Sequence, residues 1–151
     1  MHKIELEFKR IQTYLFASPR LRAMLGANAT LGRAIRMDLP LLAQGSGAKA
    51  DLTLIQHLPA ADPADPLCRQ PSDLHATLMD DPARIYQEYG VLVRDGGHFI
   101  ATFPTREQAH GFIHQAHAYI AKILPGILLE AQCDGQKVLP PNIGECLFQH
   151  P

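Results

Sequence analysis

The chain has 151 residues, 46% of them hydrophobic and 19% charged: enough apolar material for one real core, and about the length of one domain. Its 14 basic and 15 acidic residues give a formal net charge of −1. That balance argues against a duplex-DNA binder, which would carry a basic stripe, although Lys9, Arg10, Arg20, Arg22, Arg33 and Arg36 concentrate in the first quarter. Cys68, Cys133 and Cys146 show no paired spacing and Met1–Arg10 is a charged, alternating segment unlike a signal peptide, so a cytoplasmic protein with reduced thiols is expected. No apolar run approaches the ~20 residues of a membrane span.

In chain order, Lys3 to Phe8 alternates strictly, with Ile4, Leu6 and Phe8 on one face and Lys3, Glu5 and Glu7 on the other. A period of two predicts a half-buried strand. Ile11 to Phe16 predicts a short helix that stops at Ser18-Pro19, where Ser18 caps a new helix with proline in its first position. Gly26-Ala27-Asn28 is expected to interrupt that helix. A longer one follows, with Leu31, Ile35, Leu39 and Leu42 at helical spacing, and ends at Gln44-Gly-Ser-Gly-Ala48.

Asp51 to Gln56 reads as a strand. His57 to Pro82 carries five prolines and reads as an irregular insertion, with one short helix near Ser72–Met79. Val91–Arg94 and His98–Phe103 flank Asp95-Gly96-Gly97, the composition of a tight hairpin. Thr105 and Gln108 form a capping box that opens an amphipathic helix, whose buried stripe is Ala109, Phe112, Ile113, Ala116, Ile120 and Ile123. Pro125-Gly126 stops it, Ile127–Cys133 forms a last strand, and Asp134-Gly135 turns into a proline-containing tail.

The expected fold is therefore α+β: a ferredoxin-like βαββαβ unit with an extra strand and a proline-rich insertion. Residues 1–135 would form the domain, with 57–82 as the insertion and 136–151 as a tail or the start of a linker. Helices would cover one face of the sheet and leave the other open to a ligand or partner. Alternation puts Glu5 and Glu7 on that open face, and the Asp95-Gly96-Gly97 tip belongs to a hairpin expected beside the first strand. In palm polymerases and nucleotide cyclases, carboxylates in this place hold two divalent ions that clamp a triphosphate.

The segment Leu6-Glu-Phe-Lys-Arg-Ile-Gln-Thr-Tyr-Leu-Phe16 resembles the opening of each palm in the large subunit of type III CRISPR effector complexes. Pro19–Leu31 is similar to that family's Leu-Arg motif with its small residues and apolar run. Gly96-Gly-His-Phe-Ile-Ala-Thr-Phe-Pro104 resembles the hairpin of its degenerate first palm. The three segments come in the family's order and span most of the chain. The resemblance implies a palm that contributes structure and one half of a nucleotide pocket to a cyclic oligonucleotide synthase. A second palm, in the same protein or a partner, would supply the catalytic acidic pair.

The resemblance implies a nucleotide site at Glu7, Arg22, Asn28, Gly96, Gly97 and His98, Mg²⁺ with ATP held through Glu7 and Asp95, and other effector subunits with their guide RNA as indirect neighbours. Two departures matter. Active palms have acidic residues directly after Gly-Gly, where this chain has His98 and Phe99. Glutamate at position 7 is one methylene longer than aspartate, enough to displace an ion by about 1.5 Å. No catalytic residue is therefore assigned, and the chain alone is not expected to be an enzyme.

Two other readings stay open: a minimal cyclase or polymerase using Glu7 and Asp95 in a homodimer, and a ferredoxin-like interaction module without nucleotide, pairing through its open face or an edge strand. His110, His114 and His117 share a helix face at spacing suited to a metal, but no Cys-x-x-Cys or acidic residue completes a set, so zinc is not expected.

Overall fold

The computed structural model describes residues 1–16, 21–55 and 82–140. The Ser18 cap, Arg20, the 57–81 part of the insertion with its expected helix, Cys68 and Cys146 lie outside the described residues. An α+β architecture results, with one antiparallel sheet of five strands in the order β2-β3-β1-β4-β5. The strands are β1 (His2–Lys9), β2 (Val91–Asp95), β3 (His98–Phe103), β4 (Leu128–Cys133) and β5 (Gln136–Val138). Helices α1 (Ile11–Leu15), α2 (Leu21–Arg33), α3 (Leu39–Gly45), α4 (Leu52–Ile55), α5 (Pro82–Tyr89) and α6 (Arg106–Ile123) complete the described chain. None of them is long and apolar enough to cross a membrane.

β1 occupies the centre because both of its edges are taken, by β3 and by β4, each antiparallel. Its alternation is realised: Ile4, Leu6 and Phe8 are buried while Glu5, Glu7 and Lys9 are partly exposed. Opposite that apolar row lies α6, with Ala109, Phe112, Ile113, Ala116 and Ile120 buried. Phe112 packs on Phe99 and Phe103 of β3 at ring separations of 5.6 and 5.4 Å, within the range of favourable aromatic pairs. The Thr105 cap forms as expected, its hydroxyl oxygen accepting from the Gln108 N–H at 3.2 Å.

Three expectations need correction. The described part of the expected strand Asp51–Gln56, Asp51–Ile55, is not a strand. The Asp51 carboxylate accepts from the Thr53 N–H and hydroxyl, and its carbonyl from Leu54 N–H, so the segment winds into α4. The fifth strand comes instead from 136–138, expected to begin a tail; it pairs with β4 across the Asp134-Gly135 turn. Finally, Gly26-Ala27-Asn28 does not break a helix. α2 runs through it, and the Thr30 hydroxyl bonds back to the Gly26 carbonyl at 2.9 Å. One interior glycine costs about 1 kcal/mol in a helix, too little to stop it when its neighbours propagate.

Between α2 and α3 the chain makes a π-helical turn over Ala34–Asp38, with the Leu39 N–H reaching the Ala34 carbonyl. Pro40 has no N–H to give to Arg36, four residues back. The freed Arg36 carbonyl accepts instead from Arg94 Nη1 at 2.8 Å. Arg94 is only 8% exposed. It points to the helix side because the pairing of β2 with β3 shifts between Val91 and Val93, a bulge that reverses the alternation after it.

The hairpin turn has the expected form. Gly96 and Gly97 both have positive φ, 60° and 78°, the geometry of a type I′ turn that matches strand twist. Gly90, with φ 71°, instead ends α5 against the backbone of Ala48–Lys49, 2.6 Å from where a Cβ would stand. Gly96→Ala therefore costs only the left-handed backbone penalty, about 1–2 kcal/mol. Gly90→Ala adds a clash with main chain that cannot rotate away and should cost distinctly more. Urea unfolding of both variants measures the order, and equal losses would contradict the packing described for Gly90.

Candidate functional site

Among the described residues, the face of the sheet turned away from α6 is built by cross-strand register. Glu7 lies directly opposite His98 of β3 and Glu130 of β4. Glu5 lies opposite Ile100 and Gln132, and Asp95 pairs with His98 across the hairpin. Side chains at directly opposed positions share a face, so Glu5, Glu7, Asp95, His98 and Glu130 form one patch at the hairpin end. The juxtaposition of the first strand and the glycine hairpin, on which the sequence reading depends, is present: the Phe8 N–H donates to the Gly97 carbonyl at 2.9 Å.

Three of the four carboxylates in the patch have a cationic or histidine neighbour. Lys9 Nζ lies 3.0 Å from Glu7 Oε2 and 3.8 Å from Glu130 Oε2, so one ammonium serves two carboxylates placed side by side. The Glu7 hydrogen bond raises the Lys9 pKa; desolvation, the next effect in size, opposes it, and the charges of Glu7 and Glu130 add to the rise. His98 Nδ1 stands 3.6 Å from Glu5 Oε1. The far corner of this face is closed: Thr102, 2% exposed, donates its hydroxyl to the Lys49 carbonyl at 2.6 Å and shares a hydrogen bond with the Tyr86 hydroxyl at 2.9 Å. The open area is thus the hairpin half of the sheet.

The expected site residues divide into two groups. Glu7, Asp95, Gly96 and His98 come together. Gly97 is at the turn but buried, and a Cβ there would meet Ile11 Cδ1 at 2.8 Å, so α1 backs the glycine and only Gly96 has open space around it. Arg22 stands in the first turn of α2. Asn28 is exposed in the middle of that helix, with no hydrogen bond or ion pair to the Glu7 patch among the described residues. The helix break that was to bring Asn28 to a ligand is absent.

Glu7 and Asp95 are not neighbours, since the strand of His98 runs between theirs. Two strand spacings separate their backbones by about 10 Å. Among the described residues no group of three or more His, Cys, Asp or Glu side chains is arranged to hold a metal ion. Of the two positions after Gly-Gly, His98 faces the patch, whereas Phe99 is wholly buried in the core; strand alternation lets only the first present a ligand there.

Lys9 and Glu130 belong to the patch but were not singled out from the sequence. Extending the alternation of Glu5 and Glu7 by two residues would have found Lys9. Nothing local marks Glu130, which arrives through the pairing of β1 with β4. Compared with known proteins, the chain matches no family model, no curated protein and no solved structure.

If Lys9 is what allows Glu7 and Glu130 to stand side by side, Lys9→Gln should lower the melting temperature at low ionic strength. Added salt should narrow the gap to wild type by screening the carboxylate repulsion. Thermal melts at two salt concentrations read this, and a salt-independent difference would assign Lys9 a packing role instead.

Proposed function

We propose that the chain is a ferredoxin-like palm of the kind found in the large subunit of type III CRISPR effectors, working in antiviral defence in the cytoplasm. In this reading it is the non-catalytic half of a nucleotide pocket whose acidic pair comes from a second palm. One observation carries the proposal: Glu7 is in register with His98 beside a Gly-Gly turn, on the face of the sheet that α6 leaves uncovered. The strand order β2-β3-β1-β4 supports it, being the order of a split βαβ unit.

The chemistry of the patch suits binding more than turnover. Two-metal catalysis needs carboxylates free to take an ion, whereas Glu7 is held by Lys9 and the position after the glycines is a histidine. His98 has a second ring nitrogen to offer a phosphate or base, and Gly96 lets a ligand approach the backbone. A divalent ion would arrive with the triphosphate and be completed by the partner palm.

Calorimetry with ATP and Mg²⁺ tests this, first on the chain alone and then with a catalytically competent palm. Heat of binding is expected with the pair, and His98→Ala should weaken it about tenfold, the size of one charge-assisted hydrogen bond. Absence of binding in both arrangements removes the nucleotide. The ion-paired state of Glu7 favours one other reading, an interaction module without nucleotide, for which a stable protein partner indifferent to ATP is the expected result.

A further inference from the structure

α6 carries His110, His114 and His117 on one side. His114 is exposed, whereas the Nε2 atoms of His110 and His117 are buried and have no hydrogen-bond partner. The two rings are seven residues apart, two turns along the same face. A neutral imidazole can bury one ring nitrogen as an unprotonated lone pair at moderate cost. An imidazolium cannot, because both nitrogens then carry hydrogens that need acceptors.

Among the described residues neither buried Nε2 atom has a carboxylate partner. The helix-facing residues of β1 are Ile4, Leu6 and Phe8, and those of β3 are Phe99, Ala101 and Phe103, none of them ionisable. β4 contributes the Cys133 thiol, whose pKa burial pushes up, so it stays neutral. Asp134 in the next turn is engaged by His2 Nδ1 at 2.7 Å and by the Lys3 N–H at 3.0 Å. On α6 itself Arg106 reaches Gln136 of β5 and Lys122 lies in the last turn, both cations, while Glu107 in the first turn is exposed and bonds to neither buried Nε2. α3 has no ionisable residue; of the π-helical turn before it, Asp38 is taken by Tyr119 and Arg33, and Arg36 is another cation. His2 and His98, by contrast, each face a carboxylate.

We propose that His117 forms an acid-sensitive latch, holding α6 on the sheet while neutral and releasing it when protonated. Burial, and after it the nearby His114, lower the His117 pKa, which agrees with this geometry. The sign follows. Above the unfolded histidine value of about 6.5 the His117 ring is neutral in both states and contributes no pH dependence. As pH falls through that value the unfolded chain takes up protons that the folded chain resists, so stability declines. Because α6 covers β1, the same step would unseat Glu7 and His98.

Urea unfolding between pH 8 and pH 5 tests the latch on wild type, on His117→Gln and on the exposed His114→Gln. In wild type the unfolding equilibrium constant should be flat above about pH 6.5 and then rise by up to about tenfold per pH unit. His117→Gln should flatten that rise, and His114→Gln should keep most of it. Ring-proton titration by NMR on wild type reads the same groups without mutation, His117 titrating below an exposed histidine. A flat wild-type profile, or a rise unchanged in His117→Gln, would overturn the proposal.

Discussion

β1 pairs on both edges with one register, and the rest of the described structure follows from that. With Leu6 opposite Phe99 and Ala131, the apolar row of β1 meets the apolar rows of its neighbours and all of them meet α6. A slip of one residue would turn Glu5, Glu7 and Lys9 into the core and Ile4, Leu6 and Phe8 into water. Burial of those three large side chains, each worth about 1.5–3 kcal/mol, therefore fixes the register, and the register in turn fixes which charged side chains share the outer face.

Electrostatics on that face are settled locally. Three carboxylates, Glu5, Glu7 and Glu130, sit within one patch, and Lys9 and His98 stand among them. These groups are exposed, so each pair is weak and screened by salt. Their effect lies in what they exclude: an ammonium beside Glu7 competes with any ion that would use that carboxylate. At the far corner of the same face Tyr86, Thr102 and Lys49 close a buried chain of hydrogen bonds. On the other side of the sheet the described polar groups are answered individually, as the Arg36 carbonyl is by Arg94. The unpartnered Nε2 atoms of His110 and His117 are the exception, and an exception of that kind is where a change of pH can act.

Much of the local structure was legible in the sequence because its cause is local. The period of β1, the Asp-Gly-Gly hairpin, the Thr105 cap and the stripe of α6 each rest on residues within a turn or two of one another. Where the reading failed, local signals competed with something larger or were matched by another local signal. Asp51 to Gln56 looks extended by composition, yet the Asp51 side chain bonds forward to Thr53 and the segment winds up. Gly26 and Asn28 weaken a helix without ending it. Arg94 escapes the alternation of its strand through a bulge that only pairing with β3 reveals. Gln136 to Val138 is too short to announce itself, and becomes a strand because β4 presents a free edge.

By itself the sequence determined β1, the glycine hairpin, α6 and β4, the faces of β1 and α6, and the presence of Glu7 and His98 on polar positions of their strands. Only the tertiary structure decided that these two stand opposite each other, that Glu130 and Lys9 join them, that Asp95 is kept two strands from Glu7, that Asp51 opens a helix, and that Asn28 belongs to an unbroken helix. The reason is physical: periodicity and capping act over a few residues, whereas strand register and order are set by pairing between segments about a hundred residues apart in the chain, and a charge has neighbours only once that pairing exists.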